Sequence, residues 1–241
     1  MYDESANRFI ITQLAYPQLF FGSGGFHECI AVSQTGDPTG AWYRYDFLFS
    51  NNTLNDYPKF GVWPDAYYET NNNFLNGASF TGVTVTAYDR AQMLAGQQAS
   101  TVSFTLGSQY ASLLPSNTQG GALGFNPPSG APNPYFMSCD AANGGNCTSD
   151  QLDEWDFHVD WTNPANSTFG NNGAPSTTIP VAAFNSNLCN YNRDCIPQPN
   201  TSQGLDALSD RLLYQSSYRN LGGGNQAVVL NQSVNVSSTG N

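Results

Sequence analysis

Asp56-Tyr-Pro-Lys-Phe-Gly-Val-Trp-Pro-Asp65-Ala-Tyr-Tyr is the densest collection of chemistry-capable residues in the chain. Two carboxylates, Asp56 and Asp65, are the candidate catalytic groups. A pair of carboxyls held about 5–9 Å apart can serve glycoside hydrolysis as acid and base, or as acid and nucleophile. Trp63 and Tyr67 are candidate ligand-binding aromatics in the same stretch. Asp just before a β-strand also commonly bonds its own backbone in a turn, and that ordinary role is the preferred one here.

Further along, Trp155-Asp-Phe-His-Val-Asp-Trp161 alternates strictly. Trp155, Phe157, Val159 and Trp161 share one face of a strand, and Asp156, His158 and Asp160 share the other. The aromatic face reads as packing between sheets. His158 stands on the polar face as a candidate for binding a ligand or a proton. In His27-Glu28 the neighbours point to opposite faces, which keeps them from acting as a pair. Arg211 is a candidate for bidentate recognition of a carboxylate. The chain has six arginines, too few to assemble several convergent arginines around an acidic sugar.

Motifs for nucleotide-loop, nucleophile-elbow, zinc-protease and EF-hand chemistry are absent from the sequence. No cofactor and no metal are expected: there is no CxxC, and neither His27 nor His158 has a second His at ligand spacing. Five cysteines occur among the 241 residues. Cys139 with Cys147, and Cys189 with Cys195, bracket short polar loops, the setting for local disulfides in secreted proteins. Cys29 lies in an apolar run and reads as a buried free thiol.

Composition narrows the partners. Charged residues are only 10% of the chain, against about 25% in an ordinary soluble domain. Lys59 is the sole lysine, and the net charge is −11. Phosphate contacts need Lys and Arg, so nucleic acid is excluded as a partner, and an anionic membrane surface with it. No apolar run is long enough to span a bilayer, which argues against membrane insertion. Abundant Asn, Ser, Thr, Tyr and Trp fit an extracellular protein meeting a neutral glycan or a cell-surface partner. Six Asn-x-Ser/Thr sequons, at Asn51, Asn146, Asn166, Asn200, Asn231 and Asn235, matter in a eukaryotic host.

The elements that must carry these residues recur. Strand-type runs at 8–15, 65–71, 134–140 and 211–217 are each followed by a second run, at 29–33, 83–88, 155–161 and 227–231. A third run closes the first three units, at 42–47, 101–105 and 179–184. Gly22-Ser-Gly-Gly25 and Gly36-Asp-Pro-Thr-Gly40 mark turns. One short helix is predicted at 89–94, capped by Asp89 and stopped by Gly96. For 204–213 a turn leading into a strand is favoured over a helix. Long amphipathic helices between the strands are missing, which disfavours a parallel βαβ fold. The expectation is an all-β chain: a single β-propeller-like domain over 1–241, partial or small, with about four blades of antiparallel sheet at 1–50, 51–110, 111–187 and 188–241. The first residues lack the basic start and apolar stretch of a signal peptide, and both termini cut into a unit, so the chain reads as a fragment of a longer protein. Open blade edges would then favour self-association.

Four stretches, 30–45 (with Gly36-Asp-Pro-Thr-Gly-Ala-Trp42), 56–68, 158–169 and 195–212, resemble large secreted bacterial proteins that carry sialidase-like β-propeller domains. The resemblance covers nearly the whole chain and implies a propeller fold and secretion. Relatives tend to carry acidic or His residues where this chain has Gly222-Gly-Gly-Asn225 and Asn231. That difference weakens a catalytic site in the fourth unit. The Asp-Pro-x-Gly-x-Trp turn is also similar to that of five-bladed glycoside hydrolases, by fold-level analogy. The leading expectation is a secreted recognition or structural module. The alternatives are a glycoside hydrolase using channel carboxylates, with Asp56 first, and a subunit of an extracellular fibre.

Overall fold

The computed structural model describes residues 1–16, 25–143 and 146–236. Three antiparallel sheets follow one another along the chain. The first is β1 (Tyr2–Asp3), β2 (Arg8–Ala15), β3 (Phe26–Ser33) and β4 (Trp42–Ser50), in that order. The second is β5 (Thr53–Val62), β6 (Ala66–Leu75), β7 (Ser79–Asp89) and β8 (Thr101–Leu106). Helix α1 (Arg90–Leu94) joins β7 to β8; the Asp89 carboxylate accepts from the Gln92 N–H at 3.0 Å, and Gly96 takes φ of +68° just past its end.

The third sheet runs from β9 (Leu114–Thr118) through β10 (Asn133–Cys139) to β11 (Gln151–His158). The outer edge of β11 is shared by β12 (Thr168–Phe169) and β13 (Thr177–Pro180). The hairpin β14 (Ser216–Gly222) and β15 (Asn225–Val229) joins the other end, where β14 lies parallel to β9 with Ser216 beside Ser116.

The fourth predicted unit is therefore not a separate sheet among the described residues. Its hairpin extends the third. Residues 211–215 are not strand: Leu212 leaves the backbone ladder to pack with Leu114 and Phe136. The run at 179–184 stops at Pro180, and the Phe184 N–H turns to the Asp150 carboxylate at 2.7 Å. No helix forms over 204–213. Most of the turn expected at 22–25 lies outside the described residues. Cys29 is half-buried rather than fully enclosed.

The middle sheet is covered on both faces, which is why every residue of β6 from Ala66 to Asn73 is buried. Its strands alternate two different surfaces. Tyr68, Val83, Val85 and Ala87 pack on Tyr135, Trp155, Phe157 and Phe169 of the third sheet. Tyr67, Tyr88, Phe60 and Val62 pack on Ile10, Ile30 and Val32 of the first. The aromatic face predicted for 155–161 thus fills the contact between second and third sheets. Its rings meet edge-on, as in Tyr68–Phe157 at 5.1 Å and Tyr110–Trp155 at 5.1 Å between centroids. Such pairs contribute about 1 kcal/mol each beyond area burial.

Candidate functional site

The predicted residues divide among four places. Asp56 does not precede a strand; it sits inside β5, at a bulge where the register steps from Asp56 opposite Asn72 to Lys59 opposite Thr70 and Tyr57 takes φ of +57°. Asp65 lies beyond the far end of the same strand. From Asp56 to Val62 alone the chain rises about 20 Å, so the structure does not bring the two carboxylates together.

Asp65 is held elsewhere. Tyr68 donates its hydroxyl to Asp65 Oδ2 at 3.0 Å, and the Trp161 indole donates to the Asp65 carbonyl at 3.1 Å. Burial pushes the carboxyl up, while the Tyr68 hydroxyl and the charge of His158 pull it down. The Trp161 bond brings the end of the 155–161 segment, which carries His158, to Asp65 across 96 positions of sequence.

Tyr67 is fully buried and donates to Asp3 Oδ2 at 3.0 Å. Arg211 is clamped by Asp210 through Nε at 2.8 Å and Nη2 at 2.7 Å, with its guanidinium 4.9 Å from the Tyr57 ring centroid. Lys59 covers the same ring at 3.3 Å. With its charge already paired, Arg211 does not present a free fork to a ligand carboxylate.

Trp63 lines a cleft of about 380 Å³ between the third sheet and the β14–β15 hairpin. Its indole donates to the Ala131 carbonyl at 3.0 Å, and its ring meets Tyr218 edge-on at 4.7 Å. Glu154 and Asp156 line the same cleft, opposite Gln226. They are two residues apart on β11 and so share a face, with Cα atoms roughly 7 Å apart. Burial, and then the charge of Asp156, raises the Glu154 carboxyl; burial raises Asp156, partly relieved by the Ser176 hydroxyl.

A second concentration of carboxylates lies between the first and second sheets. Glu28 on β3 and Glu69 on β6 are almost wholly buried and in side-chain contact with each other. Asn55 donates to Glu28 Oε2 at 3.1 Å, and Tyr88 donates to Glu69 Oε2 at 2.5 Å. Burial pushes both carboxyls up; repulsion from Glu69 adds to the rise at Glu28, whereas the Tyr88 and Asn71 side chains favour ionised Glu69.

The sequence reading missed Glu69. The only available signal was a lone acid in the uncharged stretch of β6, whose double-sided burial does not show in the strand itself. Glu154 was missed because it lies just outside the 155–161 alternation. The pairs Cys139–Cys147 and Cys189–Cys195 sit at disulfide distance, each with Cα atoms 6.2 Å apart, and suggest an oxidising compartment. No described helix is long and apolar enough to cross a membrane. No protein-family model, curated protein or solved structure matches the chain.

Proposed function

We propose that the chain is a β-propeller recognition module of the secreted, sialidase-like kind, binding a neutral glycan or a glycosylated cell-surface partner. The two four-stranded meanders, β1–β4 and β5–β8, would be adjacent blades, with the larger third sheet packed as the next. The single observation that carries the reading is the cleft lined by Trp63, Tyr218, Glu154, Asp156 and Gln226. Its volume lies within the range of small-molecule sites, and Glu154, Asp156 and Gln226 offer acceptors for sugar hydroxyls beside the buried Trp63 and Tyr218. The separation of Asp56 from Asp65 favours binding over hydrolysis by that pair.

The test is calorimetric titration of the purified chain with a panel of neutral oligosaccharides, following Trp fluorescence in parallel. Binding that weakens about tenfold or more in Asp156→Asn supports the reading. No heat and no fluorescence change with any panel member at millimolar concentration would sink it.

A hydrolase reading is favoured by one observation of its own: Glu154 and Asp156 share a face and a cleft. Their spacing suits two carboxyls acting on one glycosidic bond. Turnover of aryl glycosides, abolished by Glu154→Gln, would move it ahead. The edge of β15 is where this reading places self-association, which light scattering would reveal as a mass above that of one chain.

A further inference from the structure

Two glutamates meet in the contact between the first two sheets with no cation to balance them. Glu28 on β3 is 1% exposed, and Glu69 on β6 is fully buried. Their side chains touch each other, and neither takes part in an ion pair among the described residues. Two ionised carboxylates in such a place would repel each other where little screens them, and each would also bear the cost of leaving water. The contact is favourable only when a proton sits in it.

The hydrogen bonds around the pair indicate which group carries that proton. Asn55 of β5 donates to Glu28 Oε2 at 3.1 Å, and Tyr88 of β7 donates to Glu69 Oε2 at 2.5 Å. Glu28 Oε1 and Glu69 Oε1 remain, both buried and neither with a donor among the described residues. One O–H between the two side chains supplies the missing donor. Burial raises both carboxyls; repulsion from Glu69 raises Glu28 further, while the Tyr88 and Asn71 side chains draw Glu69 back toward its ionised form. Glu28 is thus the acid, and Glu69 the carboxylate that accepts from it.

The charged groups on the surrounding elements are committed elsewhere. Arg90, at the start of α1, is held by Asp3, which also accepts from Tyr67, two residues before Glu69 on β6. Lys59 of β5 covers the Tyr57 ring, near Arg211. His27, Cys29, Arg44 and Asp46 stand on the outer face of the first sheet, opposite to Glu28, where His27 bonds Asp46 at 2.6 Å. Tyr135 of β10 donates to the Glu69 backbone carbonyl at 3.0 Å. A cleft of about 80 Å³, lined by Glu28, Phe47, Thr86, Tyr88 and Ser103, opens beside the pair and gives water a route to the proton.

We propose that Glu28 and Glu69 form a proton-held latch between the first sheet and the second, closed while a proton joins them and loosened when it leaves. Loss of the proton from Glu28 to water in the cleft leaves two carboxylates in contact, so the sheets must part there or admit water. In the unfolded chain both glutamates release their protons near the ordinary 4.5. Above that pH the folded chain holds more protons than the unfolded one, so stability falls as pH rises. The fall is up to about tenfold in the folding constant per pH unit for each extra proton held. Buried glutamates keep their protons to about pH 8–9, so the latch works across neutrality.

The experiment uses the whole chain. Urea unfolding is measured from about pH 5.5 to 8, below the range in which a lysine amine titrates, and infrared spectra at about pH 7 read the stretch of protonated carboxyls. Wild type is expected to lose up to about tenfold in folding constant per pH unit and to show the protonated band. Glu28→Gln keeps a donor toward Glu69 without a titrating proton, so it should flatten the profile and remove most of the band. Glu154→Gln, at another raised carboxyl, should leave most of the slope in place. Where Glu28→Gln fails to fold, the wild type decides. Stability that does not fall with pH, or a missing protonated band, overturns the proposal. A folded Glu28→Gln with the slope and band of the wild type overturns it equally.

Discussion

Asp3 and Arg90, 87 residues apart, meet in a two-point ion pair, with Nε 2.6 Å from Oδ2 and Nη2 3.0 Å from Oδ1. Asp3 has no exposed side-chain surface and Arg90 little. Tyr67 donates to the same carboxylate, so β1, β6 and the start of α1 converge on one buried charge. Removing one partner of such a pair leaves the other uncompensated. Arg90→Met is expected to destabilise by about 3 kcal/mol, and Asp3→Asn/Arg90→Met by clearly less than the sum of the single changes. Urea unfolding of the three variants checks this; additive losses would show that the pair acts as two separate contacts.

Asn133 performs the work of a strand neighbour with a side chain. Its Nδ2 donates to the Ser116 carbonyl at 2.8 Å, and its Oδ1 accepts from the Ser116 N–H at 3.0 Å. Asn133→Ala strands both groups of a buried residue, a loss of about 2–4 kcal/mol. Asn133→Asp keeps the acceptor and loses the donor, so its melting temperature should also fall. Hydrogen exchange at the Ser116 amide would report the break directly, and an unchanged exchange rate would contradict it.

Lys59 gives a pH dependence whose sign is fixed by its environment. Burial, and then the charge of Arg211, lowers its pKa from 10.5 to about 8. Below pH 8 the folded and unfolded chains both carry the charge, and the folded state bears the full penalty. Between about 8 and 10 the folded chain holds fewer protons, so this group makes stability rise with pH. The gain is about 2 kcal/mol after allowance for residual solvent contact. The difference in unfolding free energy between wild type and Lys59→Met should shrink across that window. A constant difference would mean that Lys59 titrates normally.

Reduction should cost stability without erasing the sheets. The two disulfides close loops with sequence separations of 8 and 6, and each is expected to contribute about 2 kcal/mol by restricting the unfolded chain. Both lie at or beyond the edges of the third sheet, so a reductant should lower the melting temperature while the strand signal in circular dichroism persists at room temperature. Loss of that signal on reduction would show that the loops hold the sheet itself.

Local pattern carried the all-β class and most of the strands. Alternation in 155–161 assigned both faces of β11 correctly, and Asp89 with Gly96 bounded α1 to within one residue. Two things were not written in any window of sequence. One is where strands meet across long separations: β14 pairs with β9, and Leu212 leaves the strand to fill the space beside Leu114 and Phe136. The other is the burial of polar side chains. Glu28 and Glu69 look like ordinary solvated acids until two sheets close over them. Asp56 misled for a related reason, because a bulge inside a ladder has the same turn chemistry as the start of a strand.

The parallel pairing of β14 with β9 also orders events during synthesis. The first two sheets are meanders whose neighbours are adjacent in the chain, so each can form soon after it leaves the ribosome. Strand β9 must wait: the contact between the Ser116 and Ser216 hydroxyls spans 100 residues. At about 5–20 residues per second, its inner edge stays open for several seconds after it emerges. During that interval a strand whose five residues end up fully buried is open to pairing with another chain, and crowded translation is where this protein would be most exposed to misassembly.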